Sequence, residues 1–416
     1  MTHMATLTDQ PRIGVMGCKP SMPDEFPLDM RENSGNMIHG RAPFELFPDT
    51  LFYTDRRFGP GTRNFHEYLN SECSHIVITL ANTLRVGRPD GLAYSRLRQF
   101  LEKCHVPIVI FGLGAQAKQQ EFPADGLPPE AIDLLKYLGD RTELIGVRGE
   151  YTAAVIEHYA GVKNTFVTGC PSFFSRPFAF DDLAASLEAN RGGRPAFNST
   201  RLNDPIEQRL IRTAVREDLH WIEASSAGLT AYANKLRRGV PHPAVPPAIR
   251  WLLTDRAVSR AGLERYFTQR FQLFRETTSW YRFNVDCVGF TFGTRFHGNM
   301  ASLLSGVPAL WVTHDSRTEE FTDYLKLPAI KKEDAAELSV DDLRLLVDYS
   351  AMYEALPELF SRFNHYLTVH GLPAAPLPKA ASQPPTATSL QKLPPQPSLV
   401  ERAARRVRNV GRNRSR

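Results

Sequence analysis

Short apolar runs that alternate with segments of helical period constrain this chain more than any other feature of its sequence. The runs RIGVMG (12–17), SHIVITL (74–80), VPIVIFGLG (106–114), ELIGVRG (143–149) and NTFVTGC (164–170) are separated by stretches such as LAYSRLRQFLEKC, which sets Leu92, Leu97, Phe100 and Leu101 on one face. Strands and helices in alternation predict a parallel sheet wrapped by helices, here an α/β domain over residues 1–180. The polar, glycine-containing LEANRGGRP (187–195) reads as a linker. Beyond it the pattern resumes with RPAFNST, the helix-like DPIEQRLIRTAVRE, then DLHWIEAS, VDCVGFTFG and VPALWVTHD, which predicts a second α/β domain over 190–335. Residues 339–367 read as helix, broken near Pro357, so that 336–370 is expected to cross back over the first domain. From residue 371 the chain turns rich in Pro, Ala, Ser and Gln. That composition buries too little apolar surface to order itself, and 371–416 is expected to be a disordered tail, Pro-rich and then Arg-rich.

The expected fold class is therefore α/β, with two facing Rossmann-like domains, an interdomain cleft and a disordered basic C-terminal tail. Open α/β sheets bind ligands outside the carboxyl ends of their strands, so function is sought in the strand-to-helix turns.

A chain of 416 residues exceeds one ordinary core, and 42% hydrophobic residues supply sizeable ones. The net charge of +5 is not evenly spread: ERAARRVRNVGRNRSR (401–416) carries seven arginines against one glutamate, which leaves residues 1–400 at −1. The body lacks the basic balance of a surface that tracks phosphates, and no nucleic-acid partner is expected. Five scattered cysteines without a C-x-x-C pair write neither a disulfide framework nor a zinc site, and they point to a reducing compartment. The segment MTHMATLTDQPR has no apolar signal core, and no uncharged apolar run reaches ~18 residues. A cytoplasmic protein that does not span a membrane is expected.

The turns carry the chemistry. VPIVIFGLGAQ leaves a strand through Gly112 and Gly114 toward Gln116. Glycines there admit close approach of a ligand and the next helix N-terminus offers N–H groups to an anion, although a plain tight strand exit needs the same glycines. In ELIGVRGEYTAAVIE, Arg148 ends a strand, where it either forks hydrogen bonds onto a phosphate or carboxylate or pairs with Glu150 or Glu143. TFVTGCPSFF brings Gly169, Cys170, Pro171 and Ser172 to a third turn; with no histidine nearby in sequence, Cys170 reads as a packing residue rather than a nucleophile.

GTRFHGNMASLLSGVPAL (293–310) follows a buried-strand pattern. Its Met300, Leu303, Leu304 and Val307 fall at helical spacing, closed by Gly306 and Pro308. Arg295 and His297 then lie in the turn that feeds the helix N-terminus, where the dipole favours anions. VTHDSRTEEF supplies His314, Asp315, Arg317, Glu319 and Glu320. A cap with acidic residues in the first turn accounts for part of this, and a ligand contact is expected from Asp315, Arg317 or Glu319. In RENSGNMIHG, Asn33, Gly35 and Asn36 either form a turn or offer hydrogen bonds to a polar ligand such as a sugar.

Taken in order, NSGN (33–36), IVIFGLGAQ (108–116), GVRGEYTA (146–153), VTGCPS (167–172) and above all GTRFHGNMASLLSGVPAL with HDSRTEEF (314–321) resemble the polysaccharide pyruvyl transferase family. The resemblance covers most of residues 13–325 and is strongest over 286–321; R-x-H-G followed by S-G-V-P is its most specific piece. It implies a GT-B-like fold and a transferase of polysaccharide or exopolysaccharide biosynthesis. Such an enzyme moves the pyruvyl group of phosphoenolpyruvate onto paired hydroxyls of a glycan or lipid-linked glycan, as a cyclic ketal, and releases phosphate. Residue by residue, Arg295 and His297 match the family's R-x-H pair, and Arg148 its arginine before the G-E-Y-T-like helix. With the turns read above, the expected site has His297 and Arg295 in catalysis and Arg148, Gly114, Gln116, Asn36, Ser172, Arg317 and Glu319 on the substrates. The scheme calls for no metal and no cofactor.

Residues 221–265 do not align readily with the family, which leaves acceptor contacts open there. The tail is additional. In SLVERAARRVRNV (398–410), Val400, Ala403 or Ala404, Val407 and Val410 form a thin apolar stripe opposite arginines, suited to peripheral contact with an anionic membrane face; a solvated basic end has the same composition. The competing expectation is a nucleotide-sugar-dependent glycosyltransferase of the same fold, with Glu319 or Glu320 on the ribose.

Overall fold

Runs such as IVIF and ALWVT, apolar at nearly every position, have no face to turn to water, and both become strands buried along their whole length. The computed structural model describes residues 12–22, 33–54, 65–88, 91–117, 122–189, 192–254 and 258–390. One parallel sheet contains β1 (Ile13–Gly17), β2 (Thr50–Phe52), β3 (His75–Thr79) and β4 (Ile108–Phe111) in the spatial order β2-β1-β3-β4. A parallel pair, β5 (Ile145–Val147) and β6 (Thr165–Val167), joins next to β4 through the bridge Leu113↔Val147. The second sheet contains β7 (Arg194–Asn198), β8 (His220–Ile222), β9 (Phe271–Gln272), β10 (Val288–Gly293), β11 (Ala309–Thr313) and β12 (Ala329–Lys331) in the order β9-β8-β7-β10-β11-β12. Every pairing in both sheets is parallel. The fold is α/β with two facing Rossmann-like domains.

Strand order fixes where a ligand can enter. In the first sheet the chain leaves β1 for β2 on one side and β3 on the other; in the second it leaves β7 for β8 on one side and returns as β10 on the other. Each reversal opens a crevice at the carboxyl ends of the two strands. In the second sheet the crevice lies where Phe292↔Phe197 and Gly293↔Asn198 pair, immediately before Arg295 and His297. Gly293 has φ of +149°, and a Cβ there would stand 2.0 Å from the Asn198 carbonyl oxygen, so only glycine lets β10 exit so close to β7.

Helices α1 (Gly35–Leu46), α2 (Glu150–Ala160), α3 (Phe296–Leu303), α4 (Ser316–Leu325) and α5 (Ser350–Val369) follow in chain order, and α1, α3 and α4 supply residues to the cleft. Helix Leu92–Leu101 buries Tyr94 and Leu101, while Leu92, expected on its inner face, is exposed at the first position. Helix α5 is not broken at Pro357, contrary to expectation; the interruption falls earlier, between Leu345 and Ser350. Met352, Tyr353, Leu356, Leu359, Phe360 and Phe363 are buried on both sides of the proline, and that packing outweighs the cost of about 3 kcal/mol for one missing N–H and a ring clash. The helix packs on the first sheet: Tyr366 Oη donates to the Ile110 carbonyl at 2.7 Å, and Phe363 stacks on Phe174 at 4.2 Å.

Residues 371–390 are also ordered, where a disordered tail was expected. Leu372, Ala375, Ala380 and Leu390 are buried in the core. Asp181 accepts from the Lys379 and Ala380 amides, and Tyr349 N–H donates to the Thr388 carbonyl. Four apolar side chains spaced along a Pro-rich strap suffice to seat it, which average composition hides. Ending the chain at residue 371 is expected to lower the free energy of unfolding by about 4 kcal/mol relative to a chain ending at 390, the burial of two leucines; a shift in the urea midpoint measures it. Residues 391–416, with the basic stripe and its expected membrane contact, lie outside the described residues. No helix among the described residues is long and apolar enough to cross a membrane.

Candidate active site

A cavity of about 1120 Å³ opens between the carboxyl ends of the two sheets. The turns after β1, β3 and β5 and the start of α1 line it from one side, and those after β7, β10 and β11 from the other.

Arg148 follows β5 directly and is buried. Its Nε donates to the Gly112 carbonyl at 2.9 Å, an Nη donates to Asn82 Oδ1, and the guanidinium lies over the Phe321 ring at 5.0 Å. No carboxylate pairs with it among the described residues, so neither Glu150 nor Glu143 takes the role that residue type alone allowed. Burial lowers its pKa to about 10, which leaves it charged at neutral pH. Gly114 does not line the cavity. A Cβ there would stand 2.5 Å from Arg148 Cδ, so this glycine makes room for the arginine rather than touching substrate.

Arg295 is the N-cap of α3, and its amide donates to Asn198 Oδ1 at 2.8 Å. Its guanidinium lines the cavity while donating to the Ser199 carbonyl at 2.7 Å and to Ser225 Oγ, with the buried Glu223 carboxylate 3.5 Å away. Two residues on, the His297 ring faces the cavity. Burial, then the charges of His39, Arg148 and Arg317, holds its pKa well below 6.5. Arg317 lines the same wall and pairs with Asp315 at 3.1 Å; Asn36 and Gln116 line the opposite side.

Ser172 and Glu319 stand apart from this group. Ser172 is fully buried, with its Oγ 3.0 Å from Cys170 Sγ, and Glu319 is exposed on the outer face of α4. The neighbouring Glu320 turns inward instead and accepts from the Thr152 amide at 3.1 Å, at the start of α2. One helical position separates a solvent-facing carboxylate from a half-buried, hydrogen-bonded one, a distinction the run of two glutamates does not carry.

Sequence spacing also hid a cluster. Cys170 has two histidines against it: Sγ is 3.4 Å from His297 Nε2 and 3.7 Å from His39 Nδ1. His39 sits on α1, far away in sequence, and burial followed by the charge of Arg148 lowers its pKa to about 3. Burial also raises the Cys170 thiol, so the thiol is not activated as a nucleophile. The three donor atoms lie within 4.8 Å of one another, close enough for one metal ion to reach all three; without an ion, Cys170 is a hydrogen-bonding partner to both imidazoles. In sequence His39 is marked by no more than its place in RENSGNMIHG, five residues beyond Ser34.

The arrangement combines a desolvated arginine, two half-buried arginines and a neutral imidazole at a strand-end crevice. It suits a small, multiply charged anion and a proton transfer beside it.

Residues 41–316 match the family described as polysaccharide pyruvyl transferase. No curated protein matches the chain. Among solved structures, it is similar to UDP-GlcNAc 2-epimerase from Methanocaldococcus jannaschii in complex with UDP-GlcNAc and UDP, at 8% identity over 78% of this chain and 90% of that one, TM-score 0.37. It is similar to S. aureus MnaA in a co-structure with UDP, at 12% identity over 89% and 99%, TM-score 0.39. A putative UDP-N-acetylglucosamine 2-epimerase from Listeria monocytogenes matches at 14% identity over 89% and 94%, TM-score 0.36.

Proposed function

The chain belongs to the polysaccharide pyruvyl transferase family, and from that premise we propose that it uses phosphoenolpyruvate to install a cyclic pyruvyl ketal on a sugar of a polysaccharide or glycolipid. The observation that carries the reading is the convergence of Arg148 and His297, from two different domains, on one cavity. Phosphoenolpyruvate has a phosphate and a carboxylate on three carbons, and fixed arginines at a helix start suit both groups.

Each group then has a task. His297, once protonated, gives its proton to the methylene carbon of the donor, which becomes a methyl group and leaves the central carbon cationic. One sugar hydroxyl attacks that carbon and loses its proton to the imidazole. The C–O bond to phosphate breaks, a second hydroxyl closes the ketal, and its proton leaves on the phosphate. Arg148 and Arg317 hold the departing charge. Arg295, tied to Ser199, Ser225 and Glu223, fixes the start of α3 and hence the direction of the His297 ring.

The test is phosphate release from phosphoenolpyruvate with a panel of galactosides, glucosides and N-acetylhexosamines, alongside thermal-shift measurements. Release that depends on one glycoside, with protection by phosphoenolpyruvate and not by UDP or GDP, is expected. Protection by UDP or GDP alone, with no release, favours a nucleotide-sugar-dependent glycosyltransferase.

A further inference from the structure

The cavity holds more positive charge than the proposed donor needs. Seven Lys and Arg side chains line it against one carboxylate, Asp315, among the described residues, although residues 1–400 as a whole sum to −1. Six of the seven, all but Lys19, fall into two tiers. Arg148, Arg295 and Arg317 are buried or half-buried, and Arg148 and Arg317 bear directly on His297. Arg85, Arg88 and Arg201 are exposed at the mouth, and none of them has an ion-pair partner among the described residues.

The outer tier comes from both domains and part of it is held rigidly. Arg85 belongs to a two-residue strand, Leu84–Arg85, paired with Ala115–Gln116 so that Arg85 sits opposite Gln116. Arg201 stands on the turn after β7. There the buried Glu207 carboxylate accepts from the Thr200 and Arg201 amides at 2.7 and 3.0 Å and from Thr294 Oγ1 at 2.9 Å. One buried acid thus clamps the Arg201 turn to the turn that carries Arg295 and His297. Exposed arginines without ion-pair partners on the two walls of one cavity raise its positive potential and favour an anion there.

We propose that the mouth of the cleft is a second anion subsite, formed by Arg85, Arg88 and Arg201, which binds a negative group carried by the acceptor sugar: a phosphate, a diphosphate or a carboxylate. The proposal rests on the pyruvyl transfer reading for what occupies the inner tier. The donor's phosphate and carboxylate fill the floor, and the acceptor's own charge orients its hydroxyl pair from the mouth.

Calorimetry tests the subsite without turnover. Methyl glycosides, glycosyl 1-phosphates and methyl uronosides of galactose, glucose and N-acetylglucosamine (for the last, glycoside and 1-phosphate only) are titrated into the full chain and into an Arg85→Ala/Arg88→Ala/Arg201→Ala variant. At least one 1-phosphate or uronoside is expected to bind about tenfold or more tightly than its methyl glycoside at low salt, an advantage that shrinks at high salt and disappears in the variant. Preference for the 1-phosphate alone identifies a phosphate, and equal preference for the uronoside identifies a carboxylate as sufficient. In phosphate-release assays the KM for phosphoenolpyruvate moves less than twofold in the variant. Equal binding of charged and neutral sugars overturns the subsite. So does a rise in the phosphoenolpyruvate KM that matches the loss of sugar binding, since the arginines then serve the donor, or binding of UDP that exceeds every sugar phosphate and is lost in the variant. Absent phosphate release with intact, arginine-dependent sugar phosphate binding defeats the transferase reading and leaves the subsite standing.

Discussion

His297→Ala is expected to lower kcat/KM for phosphoenolpyruvate about 10³-fold, within the range supplied by a positioned general acid. The pH profile separates this role from mere packing. In the empty site, burial and neighbouring positive charge hold the ring below its ordinary pKa, so the reactive protonated form is a minor fraction at neutral pH and grows as pH falls. kcat/KM should therefore already be declining below about pH 6.5 and keep falling through neutral pH, with a slope approaching one decade per pH unit. The bound donor places a phosphate dianion beside the ring and favours its charged form. The decline in kcat should accordingly set in at higher pH than the decline in kcat/KM. A profile flat from about pH 7 to 9, or a variant within threefold of the wild type, sinks the acid role.

The fold is legible because many of its elements are locally consistent: strands such as Ile108–Phe111 and Ala309–Thr313 are buried apolar runs, and the turns after β1, β4, β5 and β10 carry glycine or a charged residue. The same logic singles out Arg148, Arg295, His297 and Arg317, all of which line the cavity. What sequence did not carry was orientation and long-range proximity. Glu319 and Glu320 are adjacent, yet one is solvated and the other caps α2. Gly114, at a strand exit that suits a ligand contact, is a seat for a side chain 34 positions away. His39 and Cys170 meet His297 only because α1 and the turn after β6 pack behind α3. The ordered strap after residue 371 is invisible to average composition because its packing rests on a few well-spaced leucines and alanines.

Arg148 provides the second large effect, and a control that a purely structural arginine would not pass. Arg148→Lys keeps a cation at the position but loses the planar fork, of which one edge is spent on the Gly112 carbonyl and Asn82 and the remainder is available to the donor. The expected result is a loss of about 10²-fold in kcat/KM for phosphoenolpyruvate, the order seen when one preorganised donor is removed. The thermal midpoint should fall by only a few degrees, because the Phe321 ring still has a cation and an alkyl chain to pack on. Gly114→Ala supplies the independent arm. Its methyl group would stand 2.5 Å from Cδ and 2.8 Å from Nε of Arg148, so it must push the guanidinium aside even though residue 114 touches no part of the cavity. It should raise the KM for phosphoenolpyruvate severalfold and should add little when combined with Arg148→Lys, because both changes act on the same group. Full additivity of the two substitutions, or an unchanged KM in both, means that the donor is held elsewhere. An Arg148 that serves only the fold would show the reverse pattern, with the midpoint falling steeply and the kinetic constants of the surviving folded protein unmoved.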